Sequence, residues 1–102
     1  MRIVKINDKE QMMKVTVGVL NRTSRQLKIK TPEIFTGFDN GDLEVAATLL
    51  FHSIAYSDKK FEMESINELS IDEYAKLRVE LLDEMTKSIP DATAGEESTG
   101  KK

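Results

Sequence analysis

Gly41 to Asp58, GDLEVAATLLFHSIAYSD, is the stretch on which the fold turns. Asp42 is a good helix N-cap, because its carboxylate accepts an orphan backbone N–H at the positive end of the helix dipole. No Gly or Pro follows until well past Tyr56, so the spacing predicts one helix of about four turns over 43–57. At about a hundred degrees per residue, Leu43, Ala47, Leu50, Phe51 and Ile54 share one face. Val45, Leu49, His52 and Tyr56 form a second stripe on nearly the opposite side. A helix apolar on most of its circumference is either central to a core or covered by a partner. The second stripe fits both fates: burial under the last helix, or a groove for another protein.

Working toward the start of the chain, Thr31-Pro32-Glu33 opens a short helix near 32–38, with a capping hydroxyl, an early Pro and a first-turn acid. Before it, Thr16 caps a helix near 17–29 whose buried stripe is expected to be Val17, Leu20, Ser24 and Leu27, with Gly18 and Thr23 as weak points. Arg2 to Ile6 reads as a strand and Glu10 to Val15 as its return. Asn7-Asp8-Lys9 supplies the turn, since Asn and Asp tolerate left-handed dihedrals. Such a hairpin is barely stable alone, so it must lie against helices.

Toward the other end, Phe61 is an isolated apolar anchor, and Met63 to Leu69 looks like two acidic turns with Met63, Ile66 and Leu69 inward. Ser70-Ile71-Asp72-Glu73 is a capping box opening a helix over 71–88. Ile71, Tyr74, Leu81, Leu82, Met85 and Ile89 gather on its apolar face. Asp72/Lys76 and Asp83/Lys87 pair across one turn. Arg78 lies beside that face, either snorkelling toward Glu44 or Glu80 or pairing with a partner's carboxylate. Pro90 stops the helix, and Asp91 to Lys102 has no large apolar residue with which to fold. The expected fold class is therefore α+β, mainly α: an N-terminal β-hairpin followed by four to five helices, with residues 1–89 as one domain and 90–102 as a flexible, disordered tail. Leu50, Ile54, Leu81 and Met85 are the expected core.

At 102 residues the chain is one domain with a modest core. It has no Cys, which excludes disulfides, thiolate nucleophiles and Cys-based metal sites. No apolar run approaches the roughly 20 residues needed to span a bilayer, and MRIVKINDKE lacks the apolar region of a signal peptide. The net charge of −3 conceals an asymmetry. Residues 1–30 hold eight Lys/Arg against Asp8 and Glu10, whereas residues 31–102 hold seven against sixteen Asp/Glu. A basic start raises nucleic acid as a partner, although that segment carries no aromatic residue to stack on bases. His52 is the only histidine and has no companions at metal or triad spacing. Asp39-Asn40-Gly41-Asp42 opens like a calcium loop but lacks its later ligands and closing Glu. No glycine-rich phosphate loop is present. No catalytic, metal or cofactor-binding residue is expected, and neither is an enzyme.

Three segments in order carry a resemblance: VKINDKEQMMKVTVGVLNRTSRQL, then TPEIFTGFDNGDLEVAATLLFHSIAYSDKKF, then SIDEYAKLRVELLDEM after a short acidic helix. This order, over roughly residues 3–88, resembles the tail assembly chaperones of long, non-contractile-tailed phages and prophages. The resemblance implies a non-enzymatic protein that binds the long, helical tape-measure protein and keeps it soluble while tail-tube subunits polymerise around it. It would act in the host bacterial cytoplasm and be absent from the finished virion. Val45, Leu49, Tyr56 and Phe61 are then the candidate partner-binding residues, with homo-oligomers a further expectation. The family also implies a ribosomal slip near the stop codon, adding a domain that contacts the tail-tube protein. Gly100-Lys101-Lys102 allows codons such as GGA-AAA-AAR for that slip; alternatively the ending simply solubilises a tail. Two other roles remain open: a small regulatory protein binding nucleic acid through Arg22, Arg25, Lys28 and Lys30, and a structural tail or head subunit. Weak salt dependence of binding would favour the chaperone over a nucleic-acid binder.

Overall fold

The computed structural model describes residues 2–88, and its element order is β1 (Arg2–Ile6), β2 (Lys9–Met13), α1 (Val17–Leu27), α2 (Thr31–Asp39), α3 (Leu43–Ala55), α4 (Met63–Asn67) and α5 (Ile71–Ser88). This is the expected α+β, mainly α architecture of a hairpin and five helices. Ile89 and the expected tail over 90–102 lie outside the described residues.

Asn7 and Asp8 both take left-handed dihedrals, with φ of 53° and 64°. Two such residues make the tight turn whose twist matches the flanking strands. The resulting register pairs Ile6 with Lys9, Val4 with Gln11 and Arg2 with Met13. Val4, Ile6 and Met13 therefore face the core, and Ile3 and Met12 face outward. The return strand begins one residue earlier than expected and stops at Met13 rather than Val15. Beyond Met13 the chain leaves the ladder, because the Lys14 N–H donates to the Ser53 carbonyl at 3.0 Å. The Ser57 hydroxyl donates to the Met12 carbonyl at 3.1 Å. These two bonds tie the hairpin to the C-terminal end of α3.

Thr16 caps α1 as expected, its hydroxyl accepting the Val19 N–H at 3.1 Å. The helix ends at Leu27, two residues early, because Lys28 adopts a left-handed conformation with φ of 58° and returns its N–H to the Ser24 carbonyl. Its buried residues are Val19, Leu20 and Thr23, while Val17 is exposed and Ser24 and Leu27 are only half-buried. The expected stripe is rotated because Thr23 hides its polarity: the hydroxyl donates to the Val19 carbonyl at 2.9 Å. In α2 the cap is Lys30, not Thr31. The Glu33 carboxylate accepts the Lys30 N–H at 2.7 Å, and Ile34 and Phe38 are buried.

Gly37 and Gly41 set the approach of α2 to α3. A Cβ at Gly37 would stand 2.9 Å from Val45 Cγ2, so the close contact needs its hydrogen. Gly41 turns the chain with φ of 80°, and Asp42 then caps α3 by accepting the Val45 N–H at 3.2 Å. Helix α3 packs against α1, α2, α4, α5 and β2, so it is the centre of the molecule. Leu50 and Ile54 are fully buried, as are Leu81 on α5 and, nearly so, Met85. All four are core, as expected.

The last helix carries its capping box, with the Ser70 hydroxyl accepting the Glu73 N–H at 3.2 Å and the Glu73 carboxylate accepting the Ser70 N–H at 3.1 Å. Its inward stripe is Leu77, Leu81, Glu84 and Met85, with Tyr74 half-buried. Leu82 is exposed, against expectation, because it is turned about a hundred degrees from Leu81. Glu84 takes an inward position at 2 % exposure because Arg2 reaches it, Nε to Oε2 at 3.5 Å. The same guanidinium also hydrogen-bonds Asp83 and stands 3.9 Å from Glu80. One cation thus fastens the first strand to the second half of α5.

Candidate functional site

The second stripe of α3 is buried at Val45 and Leu49, half-buried at His52 and exposed at Tyr56. Val45 lies against Gly37 of α2, and His52 Nε2 meets Gln26 Oε1 of α1 at 2.8 Å. The stripe thus meets α2 at Val45 and α1 at His52. Leu49, between those two positions, is 0 % exposed. Phe61 is buried as well, stacked on Phe51 at 5.9 Å between ring centroids. Of the four candidate partner-binding residues, Val45, Leu49 and Phe61 belong to the core. Tyr56 alone is exposed, at 47 %, with Lys14 Nζ 5.9 Å from its ring centroid.

Exposed apolar side chains are spread over the surface, Ile3, Val17 and Val79 among them, but two stand beside a cleft on the other side of α3. Leu43 is 62 % exposed and Ile71 is 85 % exposed, although both were expected on buried faces. Each directly follows its helix cap, Asp42 for α3 and Ser70 for α5. Side chains on a helix lean toward its N-terminus, so a residue at the first helical position overhangs the end of the helix instead of covering a preceding turn. That position, legible beside each cap, is the signal that distinguishes Leu43 and Ile71 from the rest of their stripes.

The two overhanging side chains meet at one cleft of about 170 Å³, lined by Leu43 and Ala47 of α3, Ile66 and Asn67 of α4, Leu69 of the α4–α5 connection, and Ile71 and Tyr74 of α5. Leu43, Ala47 and Asn67 also line an adjoining depression that extends to Glu44, Thr48, Met63 and Gln26. At the far side, burial raises the Tyr74 phenol above its usual range, with the Arg78 cation opposing that shift and Asp42 adding to it. Arg78 reaches neither of the acids expected for it. Its Nη2 donates to the Phe38 carbonyl at 2.6 Å, and its guanidinium sits 4.6 Å from the Phe38 ring centroid. The cation is thereby committed to the α2–α5 contact.

His52 is half-buried, and burial first, then the nearby Arg22 charge, lowers its pKa. Among the described residues no three His, Asp or Glu side chains are grouped to hold a metal ion. No helix among them is long and apolar enough to cross a membrane. Asn40, Gly41 and Asp42, which open like a calcium loop, form the end of α2, the turn and the cap of α3. Arg22, Arg25, Lys28 and Lys30 are exposed on and just beyond the second half of α1. No known protein family, characterised protein or solved structure matches the chain.

Proposed function

We propose that this protein is a tail assembly chaperone of a long-tailed phage or prophage, a non-enzymatic protein that holds the tape-measure protein soluble during tail-tube assembly. The observation that carries it is the apolar cleft between α3, α4 and α5, with Leu43 and Ile71 overhanging it. Large aliphatic side chains left this exposed beside a groove mark a contact surface for another chain. A groove walled by helices suits an amphipathic helix, whose apolar ridge inserts between them. The order of hairpin, cap, apolar helix and capping-box helix, resembling such chaperones, supports the same role. The client surface moves from Val45, Leu49 and Phe61 to this cleft.

The chaperone would work in the host cytoplasm and leave before the virion is complete, with contact to the tail-tube protein supplied by a frameshifted extension. The test is co-expression with a long-tailed phage's tape-measure protein. Wild type should keep that protein in the soluble fraction, and Ile71→Asp should not, while remaining folded. The exposed Arg22, Arg25, Lys28 and Lys30 support the second reading, a nucleic-acid binder. Such binding would collapse as salt rises from about 50 to 200 mM. Capture of an apolar helix would persist.

A further inference from the structure

The cleft is apolar at its floor and acidic at its edge. Glu44 lines the adjoining depression, and Glu68 and Asp72 adjoin the lining residues Leu69 and Ile71 in sequence, as Arg25 adjoins Gln26 on the α1 side. All three acids are exposed, and so are Asp42 and Glu73, which are used as helix caps. The nearby cation at Tyr74, Arg78, is bonded to the Phe38 carbonyl. No Lys or Arg lines either depression. Along the α4–α5 side, where residues 61–75 hold five acids and no Lys or Arg, an acidic peptide would meet like charge, whereas a basic one would meet Glu44, Glu68 and Asp72 as its apolar ridge is buried.

Resting on the chaperone reading of this cleft, we infer that its occupant is a basic amphipathic helix of the partner. Its apolar residues at positions i, i+3 or i+4 and i+7 sit on Ala47, Ile66, Leu69 and Tyr74, between Leu43 and Ile71. Its flanking Lys or Arg side chains face Glu44, Glu68 and Asp72. Exposed ion pairs are individually weak, so the charge sets which segment is chosen while the apolar ridge supplies most of the affinity.

The experiment uses the full chain and two synthetic helical peptides with the same leucine stripe, one flanked by Lys and Arg, the other by Glu. Binding is followed by fluorescence anisotropy. At low salt the basic peptide should bind about tenfold more tightly than the acidic one, the expected sum of three exposed pairs. The preference should shrink at about 1 M salt, where the Debye length falls to roughly 3 Å. Ile71→Asp should abolish binding of both peptides. The triple variant Glu44→Gln, Glu68→Gln, Asp72→Asn should bind both about equally, with circular dichroism checking that each variant keeps its helices.

Equal binding of the two peptides to wild type would overturn the inference, as would binding unaffected by Ile71→Asp. A self-associated species in sedimentation that the basic peptide fails to displace would give the cleft to a second copy and overturn it too. Retention of the tape-measure protein through a neutral or acidic segment would defeat this inference and leave the chaperone role standing. Selective capture of the basic peptide with no retention of the tape-measure protein would do the reverse.

Discussion

Removing the Arg2 guanidinium should destabilise the protein more than any other surface-to-core charge change. Glu84 is 2 % exposed, and the two groups stand 3.5 Å apart. At that distance, with an effective dielectric constant of about 20, their attraction is roughly 5 kcal/mol before desolvation is counted. Arg2 keeps 27 % of its side-chain exposure, so water screens part of this. Arg2→Ala should therefore cost about 2–3 kcal/mol, below the usual cost of breaking a fully buried pair. Neutralising the acid as well, with Glu84→Gln, should restore part of the loss. The double variant is expected to be more stable than the sum of single effects predicts by about 1 kcal/mol or more. Urea unfolding followed by circular dichroism reads all four corners of the cycle. Strictly additive effects, or an Arg2→Ala variant within about 0.5 kcal/mol of wild type, would show that the contact between strand and helix is a spectator.

Leu50→Ala should cost about 2–5 kcal/mol, since the side chain is fully buried in the central helix; an unchanged melting temperature would mean that the site collapses without a cavity. His52 makes the fold sensitive to mild acid. Its pKa lies below the ordinary 6.5, through burial and then Arg22. The stability contributed by its neutral ring is therefore complete above about pH 6.5 and lost as the pH falls through the lower folded value. Between about pH 7 and pH 5 the urea midpoint of wild type should fall more than that of His52→Gln; equal falls would remove His52 as the source.

Much of this structure is readable from local chemistry. Asn7-Asp8 makes the hairpin turn, Asp42 and Ser70 start the two principal helices, and Leu50, Ile54, Leu81 and Met85 lie inside. These signals work because each depends on residues close in sequence, or on a periodicity that does not need to know its partner. Burial of polar groups follows a different logic. Thr23 enters the core by bonding the carbonyl one turn back, and Glu84 enters because Arg2 arrives from the far end of the described chain. Neither the hydrophobicity of α1 nor that of α5 predicts this. The burial of Val45, Leu49 and Phe61 is hidden for a related reason. Periodicity shows that α3 has two apolar stripes, but not that Val45 and Leu49 are buried while Leu43 overhangs a cleft. A helix wheel assigns direction around the axis; exposure at the first position depends on distance along it.

The proposed site for a helical client is the exposed cleft between α3, α4 and α5. The most direct measurement is the soluble yield of the tape-measure protein when co-expressed with wild type, with Ile71→Asp, and with Leu49→Asp as a core control. Ile71 is 85 % exposed and Leu49 is 0 % exposed, so the first variant should fold and the second should not. A folded Ile71→Asp protein should lose the client into the pellet. One that holds the client as well as wild type does would contradict this site.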